Sequence, residues 1–190
     1  MTTTEGLAEI KTILKRVERK REFVLQHLHR ASVLADPLAI DGGSADAIAR
    51  ELQAIRDLEA RLVSIRLAIQ SANEATSVTA GVQTRTMAEW LVWRREVAPA
   101  YKEFLASITR SIGSARAEAA RNAVRANAQA VNPDQDVIVH VNETRLHAEI
   151  ENIEEVLGEL DGQLSLKNAT VELVFGTVPL ATAVRVMNGE

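Results

Sequence analysis

The sequence contains no cysteine, which excludes disulfide bonds, thiolate metal sites and a cysteine nucleophile. Aromatic residues make up only 3% of the 190 residues, so a core has to be built from leucine, isoleucine, valine and alanine. Few aromatics together with 46% apolar and 25% charged residues are typical of long helices packed along seams. The composition therefore predicts a mainly helical protein.

Long hydrophobic runs are also missing, since no stretch approaches the about 18 uncharged apolar residues of a spanning helix. The first residues, MTTTEGLAEI, lack the basic and apolar regions of a signal peptide. The net charge of −4 gives no overall attraction to nucleic acid. We therefore expect a cytoplasmic protein, or one within a virion if it belongs to a particle.

Recognised catalytic and cofactor motifs are absent from the sequence: there is no Gly-x-Ser-x-Gly elbow, P-loop, dinucleotide fingerprint or His-Glu-x-x-His. Neither does it contain the Glu-x-x-His pairs that a di-iron bundle requires. Carboxylate patterns are lacking around His27 and His29, and His140 and His147 could approach each other only through tertiary contact. We expect no enzyme activity, no cofactor and no metal site.

Two long helices are predicted in the first 72 residues, about Thr4–Leu34 and Ala45–Ala72. Apolar residues of the first, interrupted by Arg21, alternate at spacings of three and four as in a heptad seam: Leu7, Ile10, Leu14, Val17, Val24 and Leu28. The second carries apolar residues seven apart: Ile48, Ile55, Leu62 and Ile69. The connection is short, with a break at Asp36-Pro37 and Ser44 as the predicted N-cap, which favours a long antiparallel hairpin.

A third helix is predicted after a polar, turn-rich connection at residues 73–85. Thr86 and Glu89 have the spacing of a capping box. Trp90, Val97 and Phe104 are seven apart, and Pro99 is predicted to break or kink the helix near Val97. An alanine-rich stretch at 113–131 follows, and Asn132-Pro133 ends it.

The remaining chain is predicted as strand, helix, strand and arm. Val137–Val141 and Val171–Phe175 have the pattern of short strands, and Asn142 is placed to cap a helix that runs to about Lys167. One face of that helix is apolar: Leu146, Ile150, Ile153, Leu157, Leu160 and Leu164. The predicted domains are 1–132 (hairpin and kinked third helix), 133–175 (strand, helix, strand) and 176–190 (an apolar arm). The fold class is mainly α, a helical hairpin or coiled-coil bundle with short strands near the carboxyl end.

Charge is distributed unevenly along the chain. A basic run lies in the first helix, Lys11, Lys15, Arg16, Arg19, Lys20 and Arg21, and the final helix is acidic. Pairing of these two helices, within or between subunits, is the favoured interpretation. An anionic partner, either nucleic acid or a membrane, stays open as the alternative, although no aromatics are interleaved for base stacking.

Two helix ends resemble those of the septicolysins, small bacterial helical proteins otherwise of unknown function. The first is Leu58–Ile65 running into Ser71–Thr76, followed by Thr84-Arg-Thr-Met-Ala-Glu89. The second is Glu159–Leu173, which is similar to a final helix of the type L-D-x-x-I-Q-x-x-N-W-T-T-E-L, with Ala169 in place of the tryptophan. The resemblance implies a helical hairpin and, through the family's name, a cytolysin-like membrane activity. The family has no established active site, so it assigns no residue a role.

These features together predict a non-catalytic structural protein that forms a homo-oligomer, with other assembly proteins as further partners. A phage virion or shell component is the kind of assembly that such seams and arms suit. The predicted interface residues are Leu7, Ile10, Leu14, Val17, Val24, Leu28, Trp90, Trp93, Val171, Leu173, Phe175, Val178 and Leu180. A cytolysin-like membrane protein and a nucleic-acid adaptor, using Lys11, Lys15, Arg16, Arg19 and Lys20, are the alternatives.

Overall fold

The computed structural model describes residues 1–29, 35–125 and 137–176. These residues form a mainly helical protein with a small antiparallel sheet of two strands, and the predicted mainly helical class is confirmed. The long helices are α1 (Thr3–His27), α2 (Ser44–Ala75), α4 (Ala98–Arg125) and α5 (Glu143–Thr170). Between α2 and α4 lie β1 (Ser77–Ala80), β2 (Gln83–Thr86) and the short α3 (Met87–Val92).

Contacts divide the chain into two compact units. The terminal unit combines Met1–Ala75 with Leu166–Glu190, and the central unit is Thr76–Ser165. Leu173, just after α5, packs into the core of the terminal unit, and the predicted domain boundaries at residues 132 and 175 stay a prediction.

In the terminal unit, α1 and α2 pack together around a small aliphatic core. Its buried residues come from both helices and from the segment after α5: Ile10, Ile13, Val17, Ile55, Ile65, Ala68 and Leu173. Ion pairs join Glu9 to Arg61 at 2.9 Å and Lys20 to Glu51 at 2.6 Å. The later residue of α1 pairs with the earlier residue of α2, so the two helices run in opposite directions.

The connection before α2 is organised by Asp36. Its carboxylate accepts hydrogen bonds from the backbone N–H groups of Leu38 (3.0 Å) and Ser44 (2.9 Å) and from the Ser44 hydroxyl (2.6 Å). Ser44 is therefore the first residue of α2 and a donor to Asp36, not the cap that the sequence predicted. Gly42 and Gly43 precede it with φ of 91° and 94°, values that glycine adopts without strain. Residues 30–34, the predicted end of the first helix, lie outside the described residues.

A β-hairpin replaces most of the polar connection that was predicted at residues 73–85. Strands β1 and β2 pair from Ser77 opposite Thr86 to Ala80 opposite Gln83, and Gly81-Val82 forms the turn. Gly81 has φ of 56°, and its N–H donates to Glu159 of α5 at 2.7 Å. Val78 and Ala80 alternate inward and are buried, which fixes one face of the hairpin on the core.

The two strands predicted near the carboxyl end are wrong. Residues 137–141 pair with no strand among the described residues, and Ile138 is 81% exposed. Residues 171–175 make a single bridge, Thr2 to Glu172. This bridge cannot extend into a sheet, because α1 begins at Thr3 and leaves only Met1 and Thr2 extended beside residues 171–175.

Helix α3 begins with the predicted capping box, since Thr86 and Glu89 each accept a hydrogen bond from the other's backbone N–H. A π-helical turn at Trp93–Val97 then joins α3 to α4, and the N–H of Ala98 donates to Trp93, five residues back. This wide turn directly precedes Pro99, which cannot donate to the carbonyl four residues before it. The chain stays helical to Arg125, so Pro99 does not end the helix.

The π turn also shifts the predicted seam by one position. A π turn holds one residue more than an α turn, so the buried residues that follow Trp90 are Ala98 and Leu105. The predicted positions, Val97 and Phe104, are 50% and 56% exposed. In α5 the predicted cap is present, since the Asn142 side chain accepts from Arg145 N–H at 3.0 Å. Four of its predicted apolar-face residues are buried: Leu146, Ile153, Leu160 and Leu164.

Candidate interaction surfaces

Exposed leucine and valine side chains line the helix pair of the terminal unit in two rows. Those of α1 recur at spacings of seven and eleven residues, which places them on one side of a helix: Leu7, Leu14 and Leu25, which are 45%, 46% and 66% exposed. Those of α2 recur at spacings of eleven and four: Leu52, Val63 and Leu67, which are 40%, 51% and 48% exposed. We call these six residues the aliphatic face.

An ion pair shows that the two rows lie on the same side of the helix pair. Arg21 Nη2 lies 2.7 Å from Glu59 Oε1. Arg21 is seven residues after Leu14 and Glu59 is seven after Leu52, so each charge continues a row of exposed leucines. The charged interruption of the predicted seam is therefore one half of a cross-helix ion pair within the aliphatic face.

The structure divides the predicted interface residues of α1 between two sides of the helix. Ile10 and Val17 are buried, and Val24 is half-buried. Leu7, Leu14 and Leu28 are exposed, Leu28 by 61%. The predicted seam thus contains one row that packs inside the chain and one row that faces outward.

Among the described residues of the chain, the charged helices form ion pairs with other elements and not with each other, and their pairing between subunits stays a prediction. In the terminal unit, Lys20 and Arg21 of basic α1 bind Glu51 and Glu59 of α2. In the central unit, acids of α5 bind cations from the π turn and α4: Arg94 with Asp161, Lys102 with Glu154 and Arg116 with Glu143. Hydrogen bonds from Arg116 hold the pKa of the Glu143 carboxyl below its usual range. Each charged helix therefore has partners within its own unit.

Four other basic residues of α1 are exposed, Lys11, Lys15, Arg16 and Arg19, and within the described part of the chain they form no ion pair. Glu18 and Glu22 are exposed beside them. The predicted anionic-partner patch is therefore accessible, but its field is reduced by these two acids.

The segment after α5 docks on the amino end of α1. The N–H of Leu173 donates to Met1 O at 2.9 Å, and the N–H of Thr3 donates to Val171 O at 3.2 Å. Leu173 is buried above Gly6, where an added Cβ would lie only 2.8 Å from Leu173 Cδ1. Val171 is half-buried, and the Phe175 ring, still 36% exposed, lies 4.8 Å from the Arg61 guanidinium. The predicted interface residues Val178 and Leu180 lie outside the described residues.

The two tryptophans lie together in the central unit. Trp90 is 2% exposed and its indole N–H donates to Val78 O at 2.9 Å, which holds the ring in one orientation. Trp93 is half-buried and meets Trp90 edge to face, with ring centroids 5.2 Å apart. The sequence spacing predicted core or interface packing for both, and the structure places Trp90 inside the chain.

The described ranges contain no group of three or more His, Asp or Glu side chains arranged to hold a metal ion. None of their helices is long and apolar enough to cross a membrane. Comparison of the chain with protein-family models, curated proteins and solved structures finds no match in any of the three.

Proposed function

We propose that this chain is a non-catalytic structural protein that assembles with copies of itself through the aliphatic face. The observation that supports this proposal is the exposure of six large aliphatic side chains in two rows on one side of a helix pair. Exposed apolar patches with polar residues around them mark contact sites with other proteins. Helices bury such a stripe against a further layer, and a second copy supplies that layer here.

The Arg21–Glu59 ion pair gives this contact a register. In a two-fold symmetric contact each copy presents the same surface, so a residue of one copy meets its complement on the other. If the two-fold axis lies near this pair, the arginine and glutamate of one copy alternate with those of the other across the contact. Polar residues within a coiled-coil seam set register and oligomeric state at some cost in stability. The expected product is a four-helix coiled-coil bundle made from two helix pairs.

Light scattering of the purified chain tests this proposal. We expect a defined oligomer for the native chain and a monomer for the double variant Leu14→Glu with Val63→Glu, because the variant places two carboxylates in the contact. Ile40→Glu is the matched control, since Ile40 is 99% exposed in the same unit but lies off the aliphatic face. Circular dichroism of all three proteins checks that the helices are retained.

A native chain that is monomeric over a wide concentration range would overturn the proposal, and so would an oligomer that the double variant leaves intact. The charge reversal Arg21→Glu with Glu59→Arg separates register from burial. It keeps the pair within each copy, so we expect it to preserve assembly, whereas Arg21→Glu alone should weaken it. A place in a phage virion or shell would rest on contacts between such oligomers.

An anionic partner is the second candidate, favoured by the exposure of Lys11, Lys15, Arg16 and Arg19 on α1. Binding to nucleic acid would fall steeply with added salt, and Lys15→Glu with Arg19→Glu would remove it. Leakage of anionic vesicles tests the membrane activity that the septicolysin resemblance implies. If the chain binds nucleic acid or causes leakage while it stays monomeric, the assembly proposal fails and the anionic-partner candidate replaces it.

A further inference from the structure

An exposed row of side chains runs along α4 in the central unit. Its two large members, Val97 and Phe104, are exposed by half or more. Ala100, Ser107 and Ser111 are also exposed, and together the five residues follow one another at spacings of three, four, three and four. This alternation is that of a heptad seam, which a helix uses to pack against another helix. We call these five residues the outer seam.

The π turn before α4 directs this row outward. Because the turn holds one extra residue, Ala98 and Leu105 occupy the buried side of the helix. Val97 and Phe104 precede them by one residue, so they lie about 100° around the helix and are exposed. Turns of this kind are frequent at functional sites.

The Phe104 ring is oriented before any contact is made. It stacks on the Tyr101 ring, with centroids 6.4 Å apart and planes 24° from parallel. The Tyr101 hydroxyl donates to Glu149 of α5 at 2.7 Å, which holds Tyr101 in turn. Little side-chain freedom is therefore lost when Phe104 packs against a partner.

Two opposite charges, Glu103 and Arg110, lie beside the outer seam on the same flank of α4, seven residues apart. They pair with each other, and their side chains are 73% and 67% exposed. An ion pair this exposed contributes little to stability, so its charges can take partners on another molecule at little cost. The opposite flank carries the uncharged Tyr101 and Ile108.

We propose that the outer seam packs against the outer seam of a second copy, with the two α4 helices antiparallel about a two-fold axis. In an antiparallel pair each flank faces the same flank of the other helix, so Glu103 of each copy meets Arg110 of the other. A parallel pair would place both charges beside the uncharged flank. The complementary charges therefore select a second copy in the antiparallel orientation.

The side chains of the outer seam also complement one another in size. With the axis between Leu105 and Ala106, Phe104 of one copy lies opposite Ser107 of the other, and Ala100 lies opposite Ser111. A large side chain then meets a small one at the centre of the contact, as close packing requires.

This contact extends the proposed function, because it would join the oligomers that the aliphatic face forms. Three of its five residues are small, so it is the weaker contact and forms at higher protein concentration. The outer seam lies in the central unit and the aliphatic face in the terminal unit, so either contact can fail without the other.

Crosslinking through engineered cysteines tests the contact without background, since the native chain has no cysteine. Ala100→Cys and Ser111→Cys are prepared as separate chains that both carry Leu14→Glu with Val63→Glu, which removes the aliphatic-face contact. They are mixed and oxidised at about 0.5 mM chain, a concentration that populates a weak contact. We expect a disulfide-linked dimer with one chain of each kind, identified by its intact mass.

Each cysteine variant alone is the matched control. Two copies of the same cysteine would lie eleven residues, or about 16 Å, apart along the antiparallel pair. That separation exceeds the reach of a disulfide, so each variant alone should crosslink at least about tenfold more slowly than the mixture.

Charge reversal tests the orientation of the two helices. Glu103→Arg in both chains should lower the crosslinking rate of the mixture about tenfold, and the further change Arg110→Glu should restore it. Phe104→Glu should abolish crosslinking. Val124→Glu is the control, since Val124 is 78% exposed on the same helix but outside the outer seam, and it should leave the rate unchanged. Circular dichroism checks that each variant stays helical.

Three outcomes would overturn this inference. They are the absence of the mixed dimer, single variants that crosslink as fast as the mixture, and a rate that neither Phe104→Glu nor Glu103→Arg lowers. A native chain that light scattering finds monomeric would count against the aliphatic face alone, because the crosslinking is measured without that contact.

Discussion

The terminal and central units cover their helices in different ways. In the terminal unit the two long helices pack, among the described residues, against the short segment after α5, and the six side chains of the aliphatic face remain exposed. In the central unit a β-hairpin packs Val78 and Ala80 over Leu160 and Leu164 and encloses Trp90. The central unit therefore encloses Trp90, although Val97 and Phe104 of α4 stay exposed, and the terminal unit leaves the aliphatic face open.

This difference indicates where assembly is to be sought. The open side of the terminal unit carries two rows of aliphatic side chains, as expected of a helix-packing surface, with the Arg21–Glu59 pair and the exposed Glu18 and Arg56 in the same rows. In the central unit the Trp90 ring is buried under the β-hairpin and held by its bond to Val78, so this part of the unit is already covered. Three predictions separate the two units further.

Trp90→Ala should have the largest effect, a loss of about 3–5 kcal/mol in the free energy of unfolding, because it leaves a cavity at the centre of the central unit. Urea denaturation followed by circular dichroism measures it. Val92→Ala is the control, since Val92 is 47% exposed and its truncation should change stability by less than about 0.5 kcal/mol. A loss below about 1 kcal/mol for Trp90→Ala would show that the hairpin does not hold a specific core.

Leu173→Ala should cost about 2–3 kcal/mol, because Leu173 is 7% exposed within the core of the terminal unit. Its effect is expected to be local: the Thr3 amide, which donates to Val171 O, should exchange its hydrogen faster. Hydrogen exchange read residue by residue measures this. Val174→Ala, at an 81% exposed neighbour, is the control. Unchanged exchange at Thr3 in the Leu173 variant would contradict the docking of this segment.

Glu89→Gln should have the smallest effect, visible as a change in the pH dependence of stability. Hydrogen bonds from the Thr86 backbone N–H and hydroxyl lower the pKa of the Glu89 carboxyl. A lowered pKa in the folded chain means that the ionised carboxylate stabilises the fold above its unfolded pKa. That stabilisation is lost as the pH falls through the lower folded value.

Thermal unfolding between about pH 7 and about pH 3 measures this contribution. The native chain should exceed the Glu89 variant in melting temperature at neutral pH, and the difference should shrink in acid. Glu118→Gln, at an exposed position of α4, is the control and should leave the profile unchanged. A difference that stays constant with pH would mean that the capping carboxylate does not act through its charge.

Features governed by local chemistry could be predicted from the sequence. The Thr86–Glu89 box and the Asn142 cap depend on residues three apart, and the apolar face of α5 follows the helical period. The outward row of α1 could not be separated from the inward row, because Leu7 and Leu14 alternate with Ile10 and Val17 as two equivalent halves of one heptad pattern. Only the packing of α2 decides which half is buried.

The features that the sequence did not predict depend on contacts between residues that are distant in the sequence. Strand β2, with the sequence Gln-Thr-Arg-Thr, has no apolar alternation and forms because β1 pairs with it. Residues 137–141 have the alternation but no partner strand among the described residues.

The π turn at Trp93–Val97 has a consequence for how the length of this helix can change. Removal of one residue from the turn, such as Arg95, would leave Trp90 and Ala98 seven apart, the spacing of an uninterrupted α-helix. Ala98 and Leu105 would keep their places on the inner side. A one-codon insertion or deletion at this point can therefore convert the helix with the π turn into an uninterrupted α-helix, or the reverse. The turn accommodates the extra residue, and the core residues that follow keep their positions.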